Sequence, residues 1–235
     1  MPYTTIPLLR GFDKIQELFT VVQQHQAYIC GGYARYCASP RKEPFPAGDV
    51  DIFPSSMESF EALKTLFGKD GLVITYENDV SITYEQPVDK NHRWADTPVI
   101  QLIKPVKKAR ILTYGNIETV LDNFDFTITR VAIIDANTAM ADEDFLADEK
   151  KTLLKFKNIH CPISSMFRAI KYTKKGYFLQ PIEAVKLFED WTSRDDTYKG
   201  EIIGFVNKAH EYEKTGKETL SQEQIEHFEE LMMID

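Results

Sequence analysis

Residues 28–53 read YICGGYARYCASPRKEPFPAGDVDIF, and the order of parts in this stretch decides the fold. Ala27 to Cys30 is a short apolar run that predicts a strand. It meets a glycine pair, Gly31-Gly32, and then Tyr33 to Cys37, which can open a helix. After a proline-rich loop, residues 39–47 (SPRKEPFPA), comes Gly48-Asp49-Val50-Asp51-Ile52-Phe53. Side chains two apart on a strand point to the same side, so Asp49 and Asp51 project together and Val50 points away.

Two adjacent carboxylates repel, and burial raises their pKa. A divalent cation resolves the conflict. Mg²⁺, or Mn²⁺ in its place, takes oxygen ligands and is commonly held by one or two carboxylates plus substrate phosphates. The glycine pair supplies a matching phosphate site, because a strand–Gly-Gly–helix turn lets the backbone approach a ligand and offers the helix's first N–H groups. Each motif alone has a bland reading, a tight turn and a solvated strand start. Their joint order favours a site for a nucleoside triphosphate (NTP) and its metal.

The Gly31-Gly32 turn followed by the Asp49-Val50-Asp51 strand resembles the nucleotidyltransferase superfamily that includes DNA polymerase β and the CCA-adding enzymes. Ile100-Gln101-Leu102-Ile103, Val120 to Phe126, Arg168 to Tyr172 and Lys175-Gly176-Tyr177 are similar to predicted nucleotidyltransferases of bacterial viruses and large DNA viruses. The resemblance covers about residues 28–177. It implies an α/β (α+β) fold, with a mixed-sheet core over residues 1–150 and a helical region over 151–235. It also implies transfer of a nucleoside monophosphate to an acceptor hydroxyl, with release of pyrophosphate. Asp49, Asp51 and Asp125 are then the expected metal and catalytic carboxylates. Gly31, Gly32, Arg35 and Lys171 are the expected nucleotide contacts, with Arg168 beside them. The acceptor stays open between RNA or tRNA, a protein and a small molecule.

One position departs from the superfamily. Its third carboxylate is expected on the strand Val99 to Ile103, where this chain has Gln101. A glutamine carries no charge and cannot act as a base. A fold kept for binding nucleotide or a partner protein, without turnover, is therefore the second reading. Asp125, between Phe124 and Phe126, is either the replacement ligand or a structural cap.

Bulk properties agree with a globular protein. The chain has 235 residues, 43% hydrophobic and 27% charged, with a net charge of −8. That charge argues against a broad basic surface, though Lys104, Lys107, Lys108 and Arg110 form a local cluster. Three cysteines, Cys30, Cys37 and Cys161, match no zinc spacing and suit a reducing compartment. No targeting segment or membrane span is legible at the start or elsewhere, so the expected location is the cytoplasm, that of the host for a viral protein.

Periodicity fills in the rest. Helices are expected over residues 11–24, 58–67, 118–123, 166–174, 181–191, 201–210 and 221–233. Strands are expected at 72–76 and 80–84, paired as a hairpin, and at 99–103 and 126–134. Arg130, inside the last of these, needs a carboxylate or phosphate partner. Residues 135–149 are dense in acid and read as a solvated loop or helix face joining core to tail. Arg168, Lys171 and Lys175 share one helix face, either solvated or turned to nucleotide.

Overall fold

The computed structural model describes residues 2–42, 44–45, 47–86, 92–94, 96–108 and 111–215. The chain opens with strand β1 (Tyr3–Pro7), a 3₁₀ turn (Phe12–Ile15) and helix α1 (Gln16–Gln24). Strand β2 (Ala27–Cys30) leads through the glycine pair into helix α2 (Gly32–Ala38), and strand β3 (Asp49–Pro54) follows the proline loop. Helix α3 (Met57–Lys69) comes next, capped at Ser56, whose hydroxyl accepts from the Ser59 amide at 3.2 Å. Strands β4 (Val73–Glu77) and β5 (Ser81–Glu85) form the expected hairpin. Asn78 holds its turn by accepting from the Val80 and Ser81 amides, both at 2.9 Å.

Strand β6 (Val99–Ile103) precedes a two-residue-strand hairpin, β7 (Lys107–Lys108) and β8 (Ile111–Leu112), and helix α4 (Ile117–Leu121). After a 3₁₀ turn (Thr127–Thr129) come strands β9 (Val131–Ile133) and β10 (Thr138–Asp142) and helix α5 (Phe145–Lys151). The remainder is strand β11 (Leu153–Leu154), helix α6 (Pro162–Lys174), strand β12 (Phe178–Leu179), helix α7 (Pro181–Ser193) and helix α8 (Asp196–Thr215). Among the described residues, no helix is long and apolar enough to cross a membrane.

Eight strands form one mixed sheet in the order β1-β10-β9-β2-β3-β6-β5-β4. This is the α/β core expected. β3 lies inside it, antiparallel to β2 and parallel to β6, with Asp51 opposite Cys30 on one side and Gln101 on the other. Alternation along β3 sorts its side chains. Val50 and Ile52 join the main core with residues of α1, α2 and α3. Phe53 joins a smaller core on the other face, under Val120, Leu121 and Phe124. Asp49 and Asp51 share that second face. A third core packs the tail against the sheet end through Phe126, Leu154, Phe156, Ala169, Tyr172 and Tyr177.

Four expectations are corrected. Residues 126–134 are not one strand: the Thr129 and Arg130 amides both donate to the Phe126 carbonyl, closing a turn before the three-residue β9. Residues 135–149 are not a solvated acidic stretch but β10 and α5, with Asp142, Asp148 and Glu149 fully buried. Each acid has a cation from outside the stretch. Lys157 reaches Asp142, Lys155 reaches Asp148 and Arg35 reaches Glu149. The first residues, read only for targeting signals, form edge strand β1 against β10. The helix of residues 201–210 is longer, running Asp196–Thr215. The expected helix at 221–233 and Arg110 lie outside the described residues.

Smaller expectations also resolve. α6 begins earlier than the expected residue 166, with Pro162 in its first turn, and Ser164 and Ser165 within it are buried. Arg130 is buried and pairs with Asp122. All three cysteines are free and buried. Lys104 donates to Glu77 at 2.9 Å, away from the Asp49–Asp51 strand end.

Candidate functional site

The glycine turn is built by backbone needs. Gly31 has φ +72°, and a side chain there would bring its Cβ to 2.8 Å from Phe124 Cε1 and 3.4 Å from Asp51 Oδ2. Only glycine fits both the left-handed φ and the contact. Its N–H donates to the Val131 carbonyl at 3.0 Å, and its carbonyl accepts from the Arg35 amide at 2.9 Å. Gly31 is thus fixed from both sides, and its amide is already engaged. Gly32, the first residue of α2, differs: a Cβ there would meet nothing within 4 Å.

A cavity of about 270 Å³ opens beside this turn. Its lining collects nearly every residue singled out by the sequence. Gly32 and Arg35 come from α2, and Asp49 and Asp51 from β3. Asp125 comes from the loop after α4, and Arg168 and Lys171 from α6. Gly31 stands behind the wall. The lining also includes Asn123, Phe124, Thr129, Tyr172 and Lys175. Of these, Asn123, Phe124 and Tyr172 lie in the stretches that carry the resemblance but were given no role there, and Thr129 had no signal in the sequence.

Asp51 is mostly buried and Asp49 half-exposed. The two sit on one strand face, as alternation requires. Burial, and next to it the Asp51 carboxylate, pushes the Cys30 thiol well up, so Cys30 stays a neutral core residue. Gln101, level with Asp51 on β6, donates from its amide to Ser81 Oγ at 3.1 Å and does not line the cavity.

Asp125 is buried, and Arg168 Nε donates to its Oδ2 at 2.6 Å. Its Oδ1 is buried and makes no well-formed hydrogen bond. Burial raises the Asp125 carboxyl above the usual range, while Arg168 chiefly, then Ser165 and His160, favour the ion. Its backbone carbonyl accepts from the Lys157 amide at 2.7 Å, which fixes the loop to the tail. Among the described residues, no group of three His, Cys, Asp or Glu side chains stands close enough to hold one metal. The pair Asp49 and Asp51 fits a hard cation that draws its other ligands from phosphate and water. Asp125 faces the same space but is held by Arg168.

Arg35 lies at the back of the cavity. Its Nη1 donates to Tyr177 Oη at 2.9 Å and Glu149 Oε1 at 3.3 Å, and its Nη2 to the Phe45 carbonyl at 2.9 Å. Ser39 and Tyr177 also donate to the Glu149 carboxylate, each at 2.7 Å. Lys175 Nζ sits 5.3 Å from the Tyr172 ring centroid, and both residues line the cavity.

The family model described as Gad2, Gabija anti-defense 2 family protein, matches residues 8–151. The chain belongs to this family. The matched span includes every strand of the main sheet except β1. No curated protein matches the sequence. Among solved structures, the chain is similar to the Bacillus stearothermophilus CCA-adding enzyme in complex with CTP, at TM-score 0.51 and 18% identity, over 72% of this chain and 41% of that one. It is similar to a tRNA-processing enzyme in apo form I, at TM-score 0.51 and 14% identity, over 96% of this chain and 76% of the other. It therefore spans less than half the length of the Bacillus enzyme. At these identities the likeness is one of fold, and the Gad2-family chain has a nucleotidyltransferase-like fold.

Proposed function

We propose that the protein is a metal-dependent nucleotidyltransferase that moves a nucleoside monophosphate from an NTP to an acceptor hydroxyl and releases pyrophosphate. One observation carries this reading: two same-face carboxylates, Asp49 and Asp51, share a cavity with a bare glycine turn and with Arg168, Lys171 and Lys175. Carboxylates and cations lining one cavity suit a ligand that is a polyanion travelling with a cation.

In this reading Asp49 and Asp51 hold the metal, and Asp125 joins them once released from Arg168. A divalent cation held there, Mg²⁺ or Mn²⁺, supplies charge neutralisation of the leaving pyrophosphate and a lowered pKa for the attacking hydroxyl. Gly32 leaves room for phosphate at the α2 start, with Gly31 fixing the turn behind it. Lys171, Lys175 and Arg168 take phosphate charge. Arg35 braces the wall through Glu149 and Tyr177. The acceptor is RNA or tRNA, a protein or a small molecule. The family description supports a use against the Gabija defense, and hence a viral protein acting in the host cytoplasm.

A second reading has its own observation. Gln101 sits level with Asp51, where a carboxylate would complete the set, and its amide is turned to Ser81. A nucleotide- or protein-binding module without turnover would look the same.

The test is label transfer. The purified protein is incubated with each α-labelled NTP and Mg²⁺ or Mn²⁺, with RNA or host lysate, beside Asp51→Asn. Labelled RNA or protein, absent with the variant, is the expected result. NTP binding with no transfer under any condition would favour the binding module, and wild-type transfer by Asp51→Asn would overturn the assigned site.

A further inference from the structure

The Asp125–Arg168 pair lies inside the cavity rather than beside it. Both side chains line the space that Asp49, Asp51 and Lys171 face. The Asp125 side chain is 1% exposed and that of Arg168 14%. The contact is a charge-assisted bond at 2.6 Å, yet only one carboxylate oxygen uses it. The pair also joins two separate parts of the fold, the loop leaving the sheet and helix α6. A purely structural ion pair at this depth would be better satisfied on both oxygens, since half-satisfied buried charge is costly. The arrangement suits a pair whose members exchange partners.

We propose that this ion pair is a lock on the nucleotide cavity. Asp125 occupies, in the free protein, the place on Arg168 that a phosphate group takes on binding. Arg168 in turn occupies the place on Asp125 that a cation takes. A metal–triphosphate satisfies both at once, so Arg168 passes to the phosphates and the Asp125 carboxylate turns toward the metal. Pyrophosphate without metal can take Arg168 only by leaving Asp125 buried and uncompensated, and metal without phosphate can take Asp125 only against Arg168. The lock thus makes nucleotide and cation bind cooperatively and rejects either alone. This inference rests on the nucleotide reading above and adds to it how the site is kept closed. It also assigns Arg168 as a phosphate contact acting through exchange.

The experiment is equilibrium binding to the full-length chain, with inorganic pyrophosphate in EDTA, Mn²⁺ alone and Mn²⁺ with ATP. The proteins are wild type, Asp125→Asn and Arg168→Gln. Removing the competitor raises the competent fraction, so Asp125→Asn should tighten metal-free pyrophosphate roughly tenfold. Arg168→Gln should tighten Mn²⁺ alone by a similar factor and weaken Mn²⁺-ATP. Both variants should lose cooperativity between metal and nucleotide. If wild type binds Mn²⁺-ATP but the single-ligand affinities of the variants do not move, the lock is wrong and the nucleotide site stands. If wild type does not bind Mn²⁺-ATP, the underlying reading fails and the lock with it. Should a variant not fold, the wild-type Arg168 Nε–H resonance, assigned by its loss in Arg168→Lys, is followed by NMR. It should shift on adding Mg²⁺-ATP, whose diamagnetic cation leaves the signal visible, and an unmoved resonance in the bound state would also refute the lock.

Discussion

At the scale of single residues, the two glycines look alike in sequence and differ in kind. Gly31 is held at φ +72° with Phe124 and Asp51 packed over it, whereas a methyl group on Gly32 would meet nothing within 4 Å. Gly31→Ala must strain the backbone and displace the Phe124 ring. It should cost about 1–3 kcal/mol. Gly32→Ala, at a helix start with open space, should leave stability unchanged or raise it by about 0.4–1 kcal/mol. Thermal unfolding of both variants decides the matter: equal melting temperatures would contradict this division. The glycine pair and the Asp49–Asp51 spacing were legible in the sequence because their geometry is local, set by one turn and by strand alternation. The partners of Asp125 and Arg35 were not. Arg168 lies 43 residues from Asp125, and Glu149 lies 114 from Arg35, so nothing in the neighbouring sequence announces them.

At the scale of elements, the same limit explains the misread stretch of residues 135–149. Local charge density reads as solvated. Here the acids are instead the buried half of pairs whose cations come from α2 and from the segment before α6. Thr127 completes one of them by donating to Asp148 Oδ2 at 2.9 Å, which also explains why residues 127–129 coil into a turn against α5. The Arg35–Glu149–Tyr177 cluster is the most deeply buried of these joints, linking α2, α5 and the turn after α6. Glu149→Ala would leave Arg35 buried without its counter-charge, at a cost of about 3–5 kcal/mol. Tyr177→Phe removes only the hydroxyl, which donates to Glu149 and accepts from Arg35, and should cost about 1–3 kcal/mol. Denaturant unfolding of the two single variants and the double variant gives the coupling. Strict additivity would mean that the three side chains do not act as one unit.

At the scale of the molecule, charge is unevenly distributed. Residues 150–182 hold eight Lys and Arg and no Asp or Glu, in a chain of net charge −8. Overall acidity read from composition hid this segment, which supplies the cationic wall of the cavity through Arg168, Lys171 and Lys175. The main sheet ends with β10, before residue 150, and α6, α7 and α8 follow that point. The energetics cross that line. Phe126 and Ile128 pack with Leu154, Phe156, Tyr172 and Tyr177 in one core, and Asp125 and Glu149 take their cation and their tyrosine from beyond residue 150. Removing the tail would expose Phe126, strip Arg168 from a buried carboxylate and take Tyr177 from Arg35. A chain ending at Lys151, although it contains the whole span matched by the family, should therefore lose cooperative unfolding, while the full chain melts in one transition. Scanning calorimetry and near-UV circular dichroism of the two would show it. A sharp transition in the shortened chain, near that of the parent, would mean that the sheet is an independent unit and that the basic wall is an addition docked onto it.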